Sequence, residues 1–195
     1  MDTIQNNPGN YIAVGENIHT TRVLLRKGKR IVEADGQEVI LYEAADGASR
    51  RLPIPDSVKS TQDYDEGRVK HVKIALAAAM MGVGQEVENG LAYLRALALH
   101  QEQAGATYLD INVDEFSLKP SEQKAAMEWL VGTVQTMSNL PLSIDSSNAD
   151  VIRVGLEACQ SSSGRPMLNS ASLERLEALD LAVAHDAQVV VTAAG

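Results

Sequence analysis

The stretch Leu142-Ser143-Ile144-Asp145-Ser146-Ser147-Asn148, then residues 149–159, then Pro166-Met167-Leu168-Asn169-Ser170-Ala171-Ser172, decides the fold. Each end is a short apolar run closed by a polar residue, Asp145 in the first and Asn169 in the second. Between them Val151, Ile152, Val154, Leu156 and Cys159 recur at helical spacing. Strand, helix and strand in this order make two parallel neighbours joined by a right-handed crossover. Asp145 and Asn169 are then expected at the C-terminal ends of both strands, side by side over one mouth. A carboxylate accepts hydrogen bonds, whereas a carboxamide both donates and accepts. Such a pair suits the edge of a flat heterocycle that presents N–H donors and ring acceptors.

The same unit repeats on either side. Residues 107–113, Thr-Tyr-Leu-Asp-Ile-Asn-Val, read as a strand that places Asp110 and Asn112 on one face. Buried polar side chains cost free energy unless partnered. A ligand and an internal hydrogen-bond clamp are both open as the partner. Upstream, residues 11–14 read as a strand, and Gly15-Glu16-Asn17-Ile18-His19-Thr20-Thr21 as its polar exit. That exit is either a supplier of site residues or a glycine turn. Residues 121–137 read as a helix with Ser121 as N-cap, residues 173–185 as another, and residues 188–193 as a fifth strand. Strands alternating with helices, with polar residues at strand ends, indicate an α/β protein with a parallel sheet. No Gly-x-Gly-x-x-Gly and no P-loop appears, which argues against a dinucleotide fold or an NTPase. A (β/α)8 barrel of the TIM type fits better, because its chemistry collects at the C-terminal strand ends. Five βα units are visible, so the barrel is expected to be incomplete here and the sequence to continue beyond Gly195.

Residues 23–55 change character. Asp35-Gly36 and Asp46-Gly47 are turn signals between short β-rich runs, which makes a small antiparallel meander. Lys27, Lys29, Arg30, Arg50 and Arg51 make it locally basic, either as a solvated surface or as a docking or lid element beside the mouth. Residues 63–81 and 86–104 read as helices, with Gly82 and Gly84 between them and Gly105 as a C-terminal stop. No His, Cys and carboxylate cluster has zinc-site spacing, so no protein-bound metal is expected. The 195 residues are 45% hydrophobic with a formal net charge of -9, and no apolar run approaches the roughly 20 residues of a membrane span. The acidic balance speaks against nucleic acid as a partner. One cysteine, Cys159, fits a reducing compartment, with the cytoplasm as default.

With those motifs in place, the sequence resembles the methyltetrahydrofolate:corrinoid methyltransferases. These belong to the pterin-binding TIM-barrel superfamily, with dihydropteroate synthase and the folate domain of cobalamin-dependent methionine synthase. The stretches that carry the resemblance are Gly15-Glu16-Asn17-Ile18-His19, residues 105–113, Ala126-Met127-Glu128-Trp129-Leu130-Val131, Ser138-Asn139-Leu140, Ile144-Asp145-Ser146-Ser147-Asn148 and Leu168-Asn169-Ser170. The resemblance implies a pterin held by Asp145 and Asn169, with Asp110 and Asn112 as the family's polar pair. It adds Glu16, Asn17, His19 and Asn148 as further candidates.

The implied substrate is tetrahydrofolate or methyltetrahydrofolate, and the implied partner is a corrinoid protein carrying cobalamin. A homodimer is compatible with this reading. The residue nearest N5 is expected beyond Gly195, so this chain alone is expected to be inactive. Two departures stand out. Asn17 and His19 occupy positions where the family usually has Arg and Asn, and compact members lack the 23–82 insertion. His19 is a candidate for handling a proton, since imidazole titrates near neutral pH. Two alternatives are a dihydropteroate synthase-like condensation and a non-catalytic module that binds a pterin or a corrinoid protein.

Overall fold

The computed structural model describes residues 12–193. The chain enters through strand β1 (Val14–His19) and then departs into the inserted region. There β2 (Leu24–Leu25) is followed by the meander β3 (Ile31–Ala34), β4 (Gln37–Glu43) and β5 (Ser49–Pro53). The β3–β4 turn has positive φ at both Asp35 and Gly36, the backbone that a two-residue hairpin with Asp-Gly adopts. Two single-turn helices, α1 (Asp56–Lys59) and α2 (Gln62–Asp65), lead to β6 (Arg68–Val69), which pairs with β2. Helices α3 (His71–Met81) and α4 (Gln85–Gln103) then return the chain to the sheet. From there strand and helix alternate: β7 (Tyr108–Asn112), α5 (Pro120–Val134), β8 (Leu142–Asp145), α6 (Ala149–Ala158), β9 (Met167–Ala171), α7 (Glu177–Ala184) and β10 (Gln188–Val191).

The architecture is α/β around one five-stranded parallel sheet in the order β1-β7-β8-β9-β10. Consecutive βα units lie beside one another, as right-handed crossovers require. Period-two alternation splits the sheet into two unlike faces. Leu109, Ile111, Ile144 and Leu168 are fully buried and meet the helices, where Met127, Leu130, Val151 and Leu156 complete the core. Gly155 lets α6 settle on β8, since a Cβ there would stand 2.6 Å from Ile144 Cγ2. The opposite face carries Asp110, Asn112, Ser143, Asp145 and Asn169, brought into line by the register Asp110↔Ser143 and Asn112↔Asp145↔Asn169.

Several boundaries differ from the sequence reading. The run 15–19 is itself the first strand rather than its exit, with a bulge between Gly15 and Ile18. Tyr11 lies outside the described residues. The expected helix 63–81 is broken at Gly67, whose φ of 80° ends α2, and restarts as α3. Pro120 opens α5, with Lys119 rather than Ser121 at the cap, because proline's fixed φ suits the first helical position. Helix 173–185 shrinks to α7, and Asn169 is the third residue of β9 rather than its last. The five parallel strands form an open row with β1 and β10 at its edges, and the described residues close no barrel. Among these residues no helix is long and apolar enough to cross a membrane.

The meander packs on the outer flank of α4 instead of roofing the sheet. The Tyr42 ring meets Tyr93 edge-on at 4.8 Å, and Arg30 Nη2 donates to the Tyr93 hydroxyl at 2.9 Å. That hydroxyl lies 2.9 Å from His71 Nδ1. Burial, then the nearby Arg30 and Arg22, lowers the His71 pKa to about 4, so at neutral pH its ring accepts the tyrosyl proton. Burial pushes Tyr93 up to about 12, which keeps it a donor. Arg26 pairs with Glu38, Arg50 with Asp46 and Arg51 with Asp35, whereas Arg30 donates to neutral oxygens and Lys27 and Lys29 have no ion pair among the described residues.

The α3–α4 crossing depends on a missing side chain. A Cβ at Gly90 would stand 2.5 Å from the Ala75 carbonyl oxygen and 2.5 Å from the Ala79 nitrogen, both rigid backbone. Gly90→Ala gains up to about 1 kcal/mol of helix propensity. Overpacking against backbone costs about 1–3 kcal/mol. The expected outcome is a net fall in Tm, read by thermal unfolding.

Candidate functional site

Strand β7 is buried along its whole length, so its polar residues survive only if neighbouring strands satisfy them. Asp110, fully buried, does this through two strands. His19 Nε2 from β1 lies 2.6 Å from Asp110 Oδ2, and Asn169 Nδ2 from β9 donates to Asp110 Oδ1 at 3.3 Å. The second bond passes over β8, so the polar face is concave. Asn112 Nδ2 donates to Asp145 Oδ2 at 2.8 Å, while Asn112 Oδ1 accepts the Asp114 N–H at 2.9 Å.

Two groups are left with capacity. Asp145 and Asn169 are register partners, both half-buried, on the concave face. Among the described residues Asp145 Oδ1 and the Asn169 side-chain carbonyl accept no hydrogen bond. The bonds behind them orient the pair: Asn112 fixes the carboxylate, and Asp110 takes the Asn169 amide hydrogen so that its oxygen turns away.

The electrostatics follow from crowding. Burial raises the Asp145 pKa, and the charges of Asp110 and Asp114 act in the same direction, against the Asn112 hydrogen bond and the His19 ring. The nearest donor atoms of His19, Asp110 and Asp145 lie within 4.8 Å of one another. Linear spacing could not show this grouping, since the three residues come from three strands. Its geometry is that of a hydrogen-bonded network: both Asp110 oxygens and one Asp145 oxygen are already engaged.

The structure directs three of the sequence candidates elsewhere. Glu16 is exposed and ion-pairs with Arg22 at 2.7 Å. Asn17 turns to the helix side and donates to the Leu97 carbonyl at 2.9 Å, leaving its own buried oxygen unpartnered. The strand bulge explains the split, because it puts Asn17 and His19 on opposite faces. Asn148 caps α6, accepting the Asp150 N–H at 2.9 Å.

Other residues build the mouth and were not singled out from sequence. Asp114 accepts the Ser146 hydroxyl at 2.5 Å and the Ser147 N–H at 2.8 Å, locking the loop that follows Asp145. Its place in the alternation Asp110, Asn112, Asp114 was the available signal. Thr20 Oγ1 accepts the Glu115 N–H at 3.1 Å. Arg175 spans two strand ends, donating through Nη1 to the Ser146 carbonyl at 3.0 Å and through Nη2 to the Ser170 carbonyl at 2.7 Å. No sequence signal marked it, because its segment reads as helix.

Two comparisons with known proteins bear on the family of this chain. The family described as "Pterin binding enzyme" matches residues 82–195, more than half of the chain. The methylcorrinoid:tetrahydrofolate methyltransferase of Eubacterium limosum is 29% identical over 73 residues, 37% of this chain. The match spans about a quarter of that relative's length, 26%. With β7 to β10 and the pair Asp145 and Asn169 inside the matched region, the chain belongs to the pterin-binding enzyme family.

Proposed function

We propose that this chain is the folate-binding part of a methyltransferase that passes the N5-methyl group of methyltetrahydrofolate to the cobalamin of a corrinoid carrier protein. The observation that carries the reading is the register pair Asp145 and Asn169, with a free carboxylate oxygen and a free amide oxygen on one concave face. The name of the Eubacterium limosum relative joins the same two groups, a methylcorrinoid and tetrahydrofolate. We read the open sheet as five strands of a (β/α)8 barrel, with residues 1–195 as one domain and 23–82 inserted in it. The family match beginning at residue 82 and the concavity of the polar face support this.

In this reading Asp145 accepts the N–H donors at the pterin edge, and Asn169 holds the adjacent ring atoms. Asp110 and Asn112 touch the ring only through them. His19 offsets the charge that Asp110 places beside Asp145. Rigid holding matters because the reaction displaces a tertiary amine. The reduced cobalt supplies the electron pair to the methyl carbon, the C–N5 pair stays on nitrogen, and N5 gains a proton. Orientation of the ring can contribute several kcal/mol of the order seen for well-placed reactants. A hydrogen bond that strengthens as N5 gains electrons lowers the barrier further.

Titration calorimetry with methyltetrahydrofolate on the full protein tests the reading. Asp145→Asn is expected to lose about 10–100-fold in affinity, the range for losing a hydrogen bond to a charged group, roughly 1.5–3 kcal/mol. Unchanged affinity would remove Asp145 from the site.

The same variant makes a second, opposite prediction for stability. A carboxyl whose folded pKa is raised binds its proton more tightly in the native state, so its ionisation weakens the fold as pH rises through that range. Asp145→Asn deletes this penalty. The Tm of the variant should therefore exceed that of wild type at pH 7. The gap should close as the pH falls and Asp145 protonates in the wild type. A variant less stable than wild type at pH 7 would contradict the crowding described here.

A further inference from the structure

Among the described residues, Arg22, Lys70 and Lys119 around the C-terminal ends of the strands are paired with carboxylates, and Arg175 is not. Arg22 pairs with Glu16 at 2.7 Å, Lys70 with Asp63 at 2.6 Å and Glu115 at 2.9 Å, and Lys119 with Glu122 at 2.8 Å. Arg175, half-buried, has no carboxylate within ion-pair distance among the described residues. Its contacts are all neutral oxygens: the Ser146 carbonyl, the Ser170 carbonyl and, at 3.1 Å, Ser170 Oγ. Ser146 follows Asp145 and Ser170 follows Asn169, so the guanidinium bridges the two chain segments just beyond the candidate pair.

A guanidinium has five N–H donors in a planar fork. The three contacts use three of them and leave two, on Nε and Nη1, without a protein acceptor among the described residues. In a chain of net charge -9, a partly desolvated positive charge left unpaired at a mouth is costly unless something negative arrives. The bound carbonyls cannot neutralise it. They hold the fork in place, which is the preorganisation a planar anion requires.

We propose that Arg175 is a specificity-determining residue that receives the carboxylates on the tail of a folate substrate, so that the site selects a folate over a bare pterin. This rests on the pterin-binding reading above and adds the part of the substrate that Asp145 and Asn169 do not reach. The neutral pterin ring is gripped by hydrogen bonds from β8 and β9. The anionic tail is read by one charge in the loop after β9.

The test is calorimetry on the full protein with two ligands, tetrahydrofolate and 6-methyltetrahydropterin, which lacks the tail. Wild type should bind tetrahydrofolate the more tightly, and rising salt should erode that preference while leaving 6-methyltetrahydropterin nearly unchanged. Arg175→Ala should weaken tetrahydrofolate about tenfold, the equivalent of 1.4 kcal/mol. Its affinity for 6-methyltetrahydropterin should fall by a smaller factor, so that the preference for tetrahydrofolate shrinks. Arg175→Lys keeps the charge without the fork and should recover part of the preference. It also serves as the comparison if the alanine variant fails to fold.

An equal loss for both ligands would make Arg175 a staple between two loops and overturn the inference. So would a wild-type preference insensitive to salt. A preference for a pterin diphosphate over tetrahydrofolate would also overturn it, assigning the charge to a phosphate instead. If wild type binds neither pterin, the reading beneath falls and this inference falls with it. Binding of both ligands with equal affinity defeats the tail assignment alone.

Discussion

The structure depends on how a fully buried carboxylate is kept satisfied. Asp110 lies in the middle of a strand with no exposed residue, and its two oxygens are taken by His19 from one neighbouring strand and Asn169 from the strand beyond the next. An unpaired carboxylate there would cost several kcal/mol. Its partners are therefore obliged to face the same side, and with them the registers of β1, β7, β8 and β9. A one-residue slip of any of these strands would turn its polar residues into the helix-packed core. The polar face thus specifies register as firmly as the apolar face does.

What the site offers a ligand is the remainder of that network. Asp110 and Asn112 spend their capacity on protein partners, while Asp145 and Asn169 keep one free oxygen each. The loops repeat this logic at their ends. Asp114 ties down the turn after β8, and Arg175 ties that turn to the end of β9. The pair at 145 and 169 is consequently held from behind by side chains and from above by loops, which is the support a site needs if it is to position a ring. Burial raises the pKa of Asp145, and the charges of Asp110 and Asp114 add to that shift.

The inserted region serves a different end. It packs on α4 through Tyr42, Tyr93, Arg30 and His71, a set of aromatic and hydrogen-bonded contacts. Its link to the mouth is indirect: Lys70, at the start of α3, bridges Asp63 to Glu115 in the loop after β7. The region extends the core sideways and adds one ionic tie to the rim.

Linear order was enough to determine the alternation of strands and helices after Gly105, the parallel sheet, and Asp145 and Asn169 as neighbours. Each of these follows from local periodicity and the handedness of crossovers, which act over a few tens of residues. Its reach ended where the partner comes from far away. That Asn17 would turn to Leu97, Asn148 to its own helix and Glu16 to Arg22 depends on a strand bulge and on cap geometry that residue types do not announce. The meeting of His19 with Asp110, 91 positions apart, and the lack of a carboxylate partner for Arg175 among the described residues belong to the tertiary structure alone. Both are set by which strands lie side by side and how far the sheet curves, and a side chain's electrostatic surroundings are fixed only once those long-range contacts close.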